Sequence, residues 1–144
     1  MIINVKKEDI FIPEWNGNQD LPDTEQIKFY HRFLTTDERE RYCYIKNFTE
    51  GKMQRLFDIV QKPEFDIEAY VENNDREVIR DKRGIAKAIV TKIENLVLEN
   101  ETGGKETVNT IEGFYNAPDA YSGLRAELEG YVLNLSAKVD SKNS

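Results

Sequence analysis

Gln26-Ile-Lys-Phe-Tyr-His-Arg-Phe33 is the stretch on which the fold turns. Ile27, Phe29, His31 and Phe33 fall on one side of an extended chain, and Lys28, Tyr30 and Arg32 on the other. A period of two is that of a strand with one face buried. Upstream, Asp9-Ile-Phe-Ile-Pro13 is a short apolar run closed by proline, which predicts a second strand. Trp15-Asn-Gly-Asn18 carries an Asn-Gly turn signal, and Leu21-Pro-Asp23 continues as loop. The connection of roughly a dozen residues is long for a hairpin, yet the two strands can still pair antiparallel.

Further along the chain the period changes. Thr35-Thr-Asp-Glu38 has the spacing of a capping box, which predicts a helix running to about Lys46 with Tyr42, Cys43 and Ile45 among its apolar residues. Residues 48–75 carry little periodicity and read as an insertion with short helices. From Asp75, the residues Val78, Ile79, Ile85, Ala86, Ile89, Val90 and Ile93 recur at intervals of three to four, which predicts an amphipathic helix of about five turns. Gly84 lies inside it, at a cost of about 1 kcal/mol relative to Ala. Leu96-Val-Leu98 and Thr107-Val108 flank the turn Glu101-Thr-Gly-Gly-Lys105 and suggest a small hairpin. Asn109 and Glu112 have capping-box spacing ahead of a short helix through Tyr115. Asn116-Ala-Pro-Asp119 then opens a last helix with Pro118 in its first turn and a stripe of Tyr121, Leu124, Leu128, Tyr131, Val132 and Leu135. The expected fold class is α+β: a small N-terminal antiparallel strand pair plus a predominantly helical bundle, with a short hairpin before the last helices. One domain is expected over 1–144, β-rich over 9–33, mainly helical over 34–138, with a flexible tail at 139–144.

A chain of 144 residues and 16.8 kDa suits that size. Twenty Lys and Arg against 27 Asp and Glu leave a net charge of -7. Arg39 and Arg41 alternate with Glu38 and Glu40, and Arg76, Arg80, Lys82 and Arg83 stand among Glu72, Asp75, Glu77 and Asp81. Such mixed runs mark solvated faces, whereas nucleic-acid binding needs basic side chains gathered on one face. Nucleic acid and membrane surfaces are therefore not expected partners. No apolar run of ~18 residues marks a membrane span, and Met1-Ile-Ile-Asn-Val-Lys-Lys7 lacks the core of a signal peptide. A single Cys supports neither a disulfide framework nor a thiolate cage.

Chemistry-bearing patterns are sparse. His31, the one histidine, falls on the apolar phase of its strand, so packing competes with a general-base role. Cys43 falls inside the predicted helix and reads as a core or inert thiol. Gly103-Gly-Lys105 lacks both the earlier glycine and the following hydroxyl of a phosphate loop, since Glu99 and Glu106 hold those positions. Glu72, Asn73, Asn74, Asp75 and Glu77 lack the spacing and central glycine of a calcium loop. Neither cofactor nor metal nor catalytic residue is expected. Trp15 has two readings, a staple holding its loop on the sheet and an anchor for a partner protein.

The order and wording of these segments resemble tail assembly chaperones of long-tailed bacteriophages. The likeness runs through Phe11-Ile-Pro-Glu-Trp-Asn-Gly-Asn18, Leu21-Pro-Asp-Thr-Glu-Gln26 and Thr35-Thr-Asp-Glu-Arg-Glu-Arg-Tyr42. It continues in Val90-Thr-Lys-Ile-Glu-Asn-Leu96, Thr107-Val-Asn-Thr-Ile-Glu112 and Asn116-Ala-Pro118. The resemblance implies a non-catalytic protein of the host cytoplasm that binds the tape measure protein, the tail tube protein or both during tail morphogenesis. Self-association is compatible with it, and a virion component such as a connector is the alternative. An enzyme working through clustered carboxylates is a more distant third. Trp15, Phe33, Ile89 and Tyr131 are the expected partner-binding residues.

Overall fold

The computed structural model describes residues 1–46, 77–118 and 121–143. The fold is α+β, and the chain divides into two compact units. The first comprises Met1–Thr35 and Lys82–Ser144, and the second, Thr36–Asp81, lies between these two stretches in sequence.

The first unit is built on a three-stranded antiparallel sheet. Strand β1 (Glu8–Phe11) and β2 (Lys28–Arg32) pair with Asp9 opposite His31 and Phe11 opposite Phe29. The expected strand pair is therefore present, and Phe29 and His31 share the buried face. The long connection is tied down by amides. Asn18, 2% exposed, donates to the carbonyls of Pro13 (2.8 Å) and Ile27 (3.1 Å) and accepts from the Ile27 N–H (2.7 Å). Gln19 and Gln26 close further carbonyls of the loop. The Asn-Gly signal is realised inside a 3-10 segment, Trp15–Asp20, where Asn16 (φ 54°) and Gly17 (φ 74°) both take the left-handed region.

In the second unit the sequence reading needs correction. Helix α1 spans Thr36–Tyr42 and stops. Cys43-Tyr-Ile-Lys46 is strand β3, antiparallel to β4 (Glu77–Arg80). The expected helix to Lys46 ends early because aromatic and β-branched residues favour a paired strand over another helical turn. Cys43 is accordingly a half-buried strand residue, not a helical one. The insertion expected at 48–75 lies outside the described residues.

The expected five-turn helix also dissolves. Its residues form β4, then helix α2 (Lys82–Ile89), then strand β5 (Val90–Glu94). β5 pairs with β2, but the register slips between Tyr30 and His31: Tyr30 faces Lys92 and His31 faces Val90. Thr91 is the extra residue of a β-bulge. The bulge puts Val90 and Ile93 on the same buried face at a spacing of three. That spacing is the helical one, which is why a strand here continues the period of the helix before it.

Hairpin β6 (Leu96–Glu99) and β7 (Lys105–Val108) follows as expected. The Asn100 carboxamide oxygen accepts from the Thr102 and Gly104 amides, and Gly103 sits at φ 84°. Helix α3 (Ile111–Tyr115) is capped by Thr110, whose hydroxyl accepts from the Gly113 N–H, not by Asn109. The last helix, α4, spans Ser122–Asn143, so Pro118 precedes it and does not occupy its first turn. Its backbone remains helical through most of the stretch expected as a flexible tail. Leu124, Leu128 and Val132 form its buried stripe, and α4 packs on the Ile85, Ala86 and Ile89 face of α2. Phe29 of the sheet meets the edge of the Phe114 ring at 5.5 Å, closing the core. The described residues thus form small sheets interleaved with helices, not a helical bundle, since five strands fall within 34–138.

Replacing Asn18 by Ala strands the Ile27 N–H and the Pro13 carbonyl inside the loop. Destabilisation of about 2–4 kcal/mol is expected, read by urea unfolding followed through the fluorescence of Trp15. The exposed Gln19→Ala change should cost less than about 1 kcal/mol in the same assay.

Candidate functional site

The residues singled out for partner binding do not form one surface. Ile89 is 1% exposed and is part of the core between α2 and α4, so it offers no surface to a partner. Its apolar spacing signalled burial, as it does in most amphipathic helices. Trp15 is half-buried, with its ring centre 6.0 Å from that of Tyr121. A methyl group at Gly123 would come within 2.9 Å of the Trp15 Nε1, so the indole lies directly on the start of α4. The Glu127 carboxylate accepts from the backbone N–H groups of Glu14 (2.8 Å) and Trp15 (3.1 Å), fastening the 3-10 segment to the same helix. These contacts are those of the staple, and part of the indole stays open to solvent.

The structure does bring together Tyr131, Phe33 and His31. His31 is 1% exposed and both ring nitrogens are engaged. Nδ1 lies 2.8 Å from the Arg32 carbonyl, which can only accept, so Nδ1 carries the proton. Nε2 then accepts from the Tyr131 hydroxyl at 2.8 Å. The Tyr131 ring stacks on Phe11 at 4.2 Å with the planes 11° apart, and Phe33 meets the imidazole edge-on at 5.3 Å. Burial raises the Tyr131 phenol above its ordinary value, and the nearby Asp9 carboxylate adds to the shift. Asp9 itself is held below the usual carboxylate range by the Lys6 ammonium (2.9 Å) and by the Ile10 N–H (2.9 Å).

Around the bulge, Glu8, Asp9, Ile10, Tyr30, His31 and Thr91 line an open cleft of about 270 Å³. Lys92 stands over the Tyr30 ring at 5.2 Å and pairs with Glu94 at 2.9 Å. Among the described residues, no three or more His, Cys, Asp and Glu side chains converge as a metal site requires, and no described helix is long and apolar enough to cross a membrane.

The most prominent apolar exposure lies where sequence reasoning placed no site. Met1, Ile2, Ile3 and Val5 are 115%, 92%, 75% and 71% exposed, on a segment leading directly into β1. Ile10 on the outer face of β1 is 44% exposed. β1 is the terminal strand of its sheet, so this segment runs into an open edge. The signal was available in Met1-Ile-Ile-Asn-Val5, an apolar run placed just ahead of a strand.

Tyr131→Phe removes the donor to His31 Nε2 and should cost about 1–2 kcal/mol at neutral pH. Because the folded protein raises the phenol's pKa, that part of its stability is present below the unfolded value near 10 and is lost as pH rises through the folded one. Unfolding free energies of the two proteins should therefore converge above about pH 10. Asp9→Asn should act at the other end of the scale. Its carboxylate is depressed on folding, so the variant should be slightly less stable at neutral pH, by a few tenths of a kcal/mol after solvent screening, and should match the parent once acid protonates Asp9.

The chain matches no protein-family model, and neither a curated protein nor a solved structure matches it.

Proposed function

We propose that this protein works by contact as a tail assembly chaperone of a long-tailed phage, holding the tape measure protein, the tail tube protein or both before assembly. The observation that carries the contact reading is the apolar N-terminal segment, with Ile2, Ile3 and Val5 each more than two-thirds exposed beside an open sheet edge. Surfaces of that kind on a folded unit serve other chains, because an unpaired edge offers its main-chain donors and acceptors to an extended segment. The engagement of both His31 nitrogens supports the same reading, since the imidazole is spent on the fold. The identity of the partners rests on the resemblance of the 11–42 and 90–118 segments to the chaperones.

A tape measure chain is long and carries apolar stretches, and a small acidic protein that covers them would keep them soluble until the tube subunits displace it. The net charge of -7 favours such a holding role by keeping loaded complexes apart. Co-expression with the tape measure and tail tube proteins of the same phage, followed by size-exclusion chromatography, tests the proposal. Co-migration with at least one of them, weakened on deleting residues 2–5, is the expected result. Separate elution from both would overturn it. Mass spectrometry of purified particles should then fail to find the chain, whereas a virion component would be retained.

A further inference from the structure

The exposed segment and the edge it precedes have a sequence that matches itself. The Ile10 N–H is closed by the Asp9 carboxylate at 2.9 Å, so it faces away from β2, and the backbone groups of the other even-numbered residues of the strand face outward with it. An antiparallel partner strand must therefore bond to even positions. A two-fold axis normal to the sheet meets that demand, because it sets even residues against even and odd against odd.

We propose that two copies of this chain pair edge to edge through residues Ile2–Ile12, antiparallel, with the two-fold axis at Lys7, so that the N-terminal segment of each copy lies along β1 of the other. In this register Lys6 of one copy faces Glu8 of the other, twice. Ile2 faces Ile12, and Ile3 faces Phe11. Opposite charges and apolar pairs directly across a ladder each contribute favourably. Shifting the axis to Lys6 sets Val5 against Lys7 and loses the charge pairs, whereas shifting it to Glu8 exchanges them for Lys7–Asp9 pairs but sets Lys6 against Ile10, Glu8 against Glu8 and Ile12 against Asn4. The unfavourable elements are Lys7 against Lys7 at the axis, and Val5 against Asp9 and Asn4 against Ile10 on either side of it. The structure also shows what holds the edge closed in the single copy: the Lys6–Asp9 pair folds over it and caps the Ile10 N–H. Pairing replaces that cap by the backbone of the second copy. The proposal rests on the contact reading of this segment but not on the identity of the tail proteins.

Three measurements on the full chain test it. Sedimentation of the unmodified protein should show a concentration-dependent monomer–dimer equilibrium. Asp9→Ala, which removes the cap, should shift it toward dimer, and Glu8→Lys should weaken it about tenfold, with the swap Lys6→Glu/Glu8→Lys restoring it. In a Cys43→Ser background, Lys7→Cys places two thiols in a non-hydrogen-bonded pair about 4.5 Å apart at Cα, within disulfide reach. That variant should cross-link under mild oxidation far faster than Ile3→Cys. A chain that stays monomeric to about 0.1 mM, equivalent to pairing weaker than about -5.5 kcal/mol, overturns the proposal. Equal cross-linking of Ile3→Cys and Lys7→Cys overturns it as well. Failure to bind tail proteins leaves these outcomes unchanged, so the two readings fall separately.

Discussion

A buried imidazole on the central strand of a small sheet has to be satisfied at two points, and much of the first unit follows from how this is done. Strand β2 supplies one acceptor from its own backbone at Arg32. The other partner must come from across the core, and Tyr131 on α4 provides it. That single hydroxyl fixes the rotation of α4 over the sheet. With the helix so turned, Leu124, Leu128 and Val132 meet α2 while Tyr131 stacks on Phe11. A neutral hydrogen bond between buried groups contributes only about 1 kcal/mol net, but leaving either group unpaired costs more. The pair thus selects one packing among those that hydrophobic burial alone would allow.

The loop from Ile12 to Ile27 is the second fixed element. Asn18 acts there as a piece of backbone, making the bonds a strand neighbour would otherwise make. Glu127 then ties the loop to α4 through the Glu14 and Trp15 amides. Sheet, loop and helix form a closed set of polar ties around an apolar core. Outside this set lie the outer edge of β1 and the exposed segment before it. The functional reading and the pairing proposed for two copies both grow from that open edge.

The parts legible in the sequence were those where one local signal ruled. The alternation through Phe29 and His31 identified a strand, and the Gly-Gly turn identified the hairpin. The α+β class followed from these. Where two signals competed, periodicity misled. Val90 and Ile93 sit three apart on one face because Thr91 is bulged out, and a bulge leaves no mark in an apolar pattern. Cys43–Lys46 continued a capped helix on paper but finds a strand partner in Glu77–Arg80, a long-range fact invisible locally. Of the four residues expected to bind a partner, Ile89 proved to be core and Tyr131 to be engaged by His31, since apolar and aromatic character alone does not separate an anchor from packing. The exposure of Met1–Val5 is not legible locally, because β2 ends at Arg32, opposite Glu8, and leaves the preceding residues without a strand neighbour.

Hydrogen exchange of the full chain, measured alone at low concentration and again with excess tape measure and tail tube proteins, addresses contact function most directly. Amides of Ile2–Lys7 and the outward-facing even-numbered amides of β1 should exchange quickly in the free chain and slow markedly in the presence of a partner, while those of Phe29, Leu128 and Val132 stay protected throughout. Unchanged exchange over Ile2–Ile12 in a mixture that demonstrably forms a complex would mean that the open edge is not where this protein meets its partners.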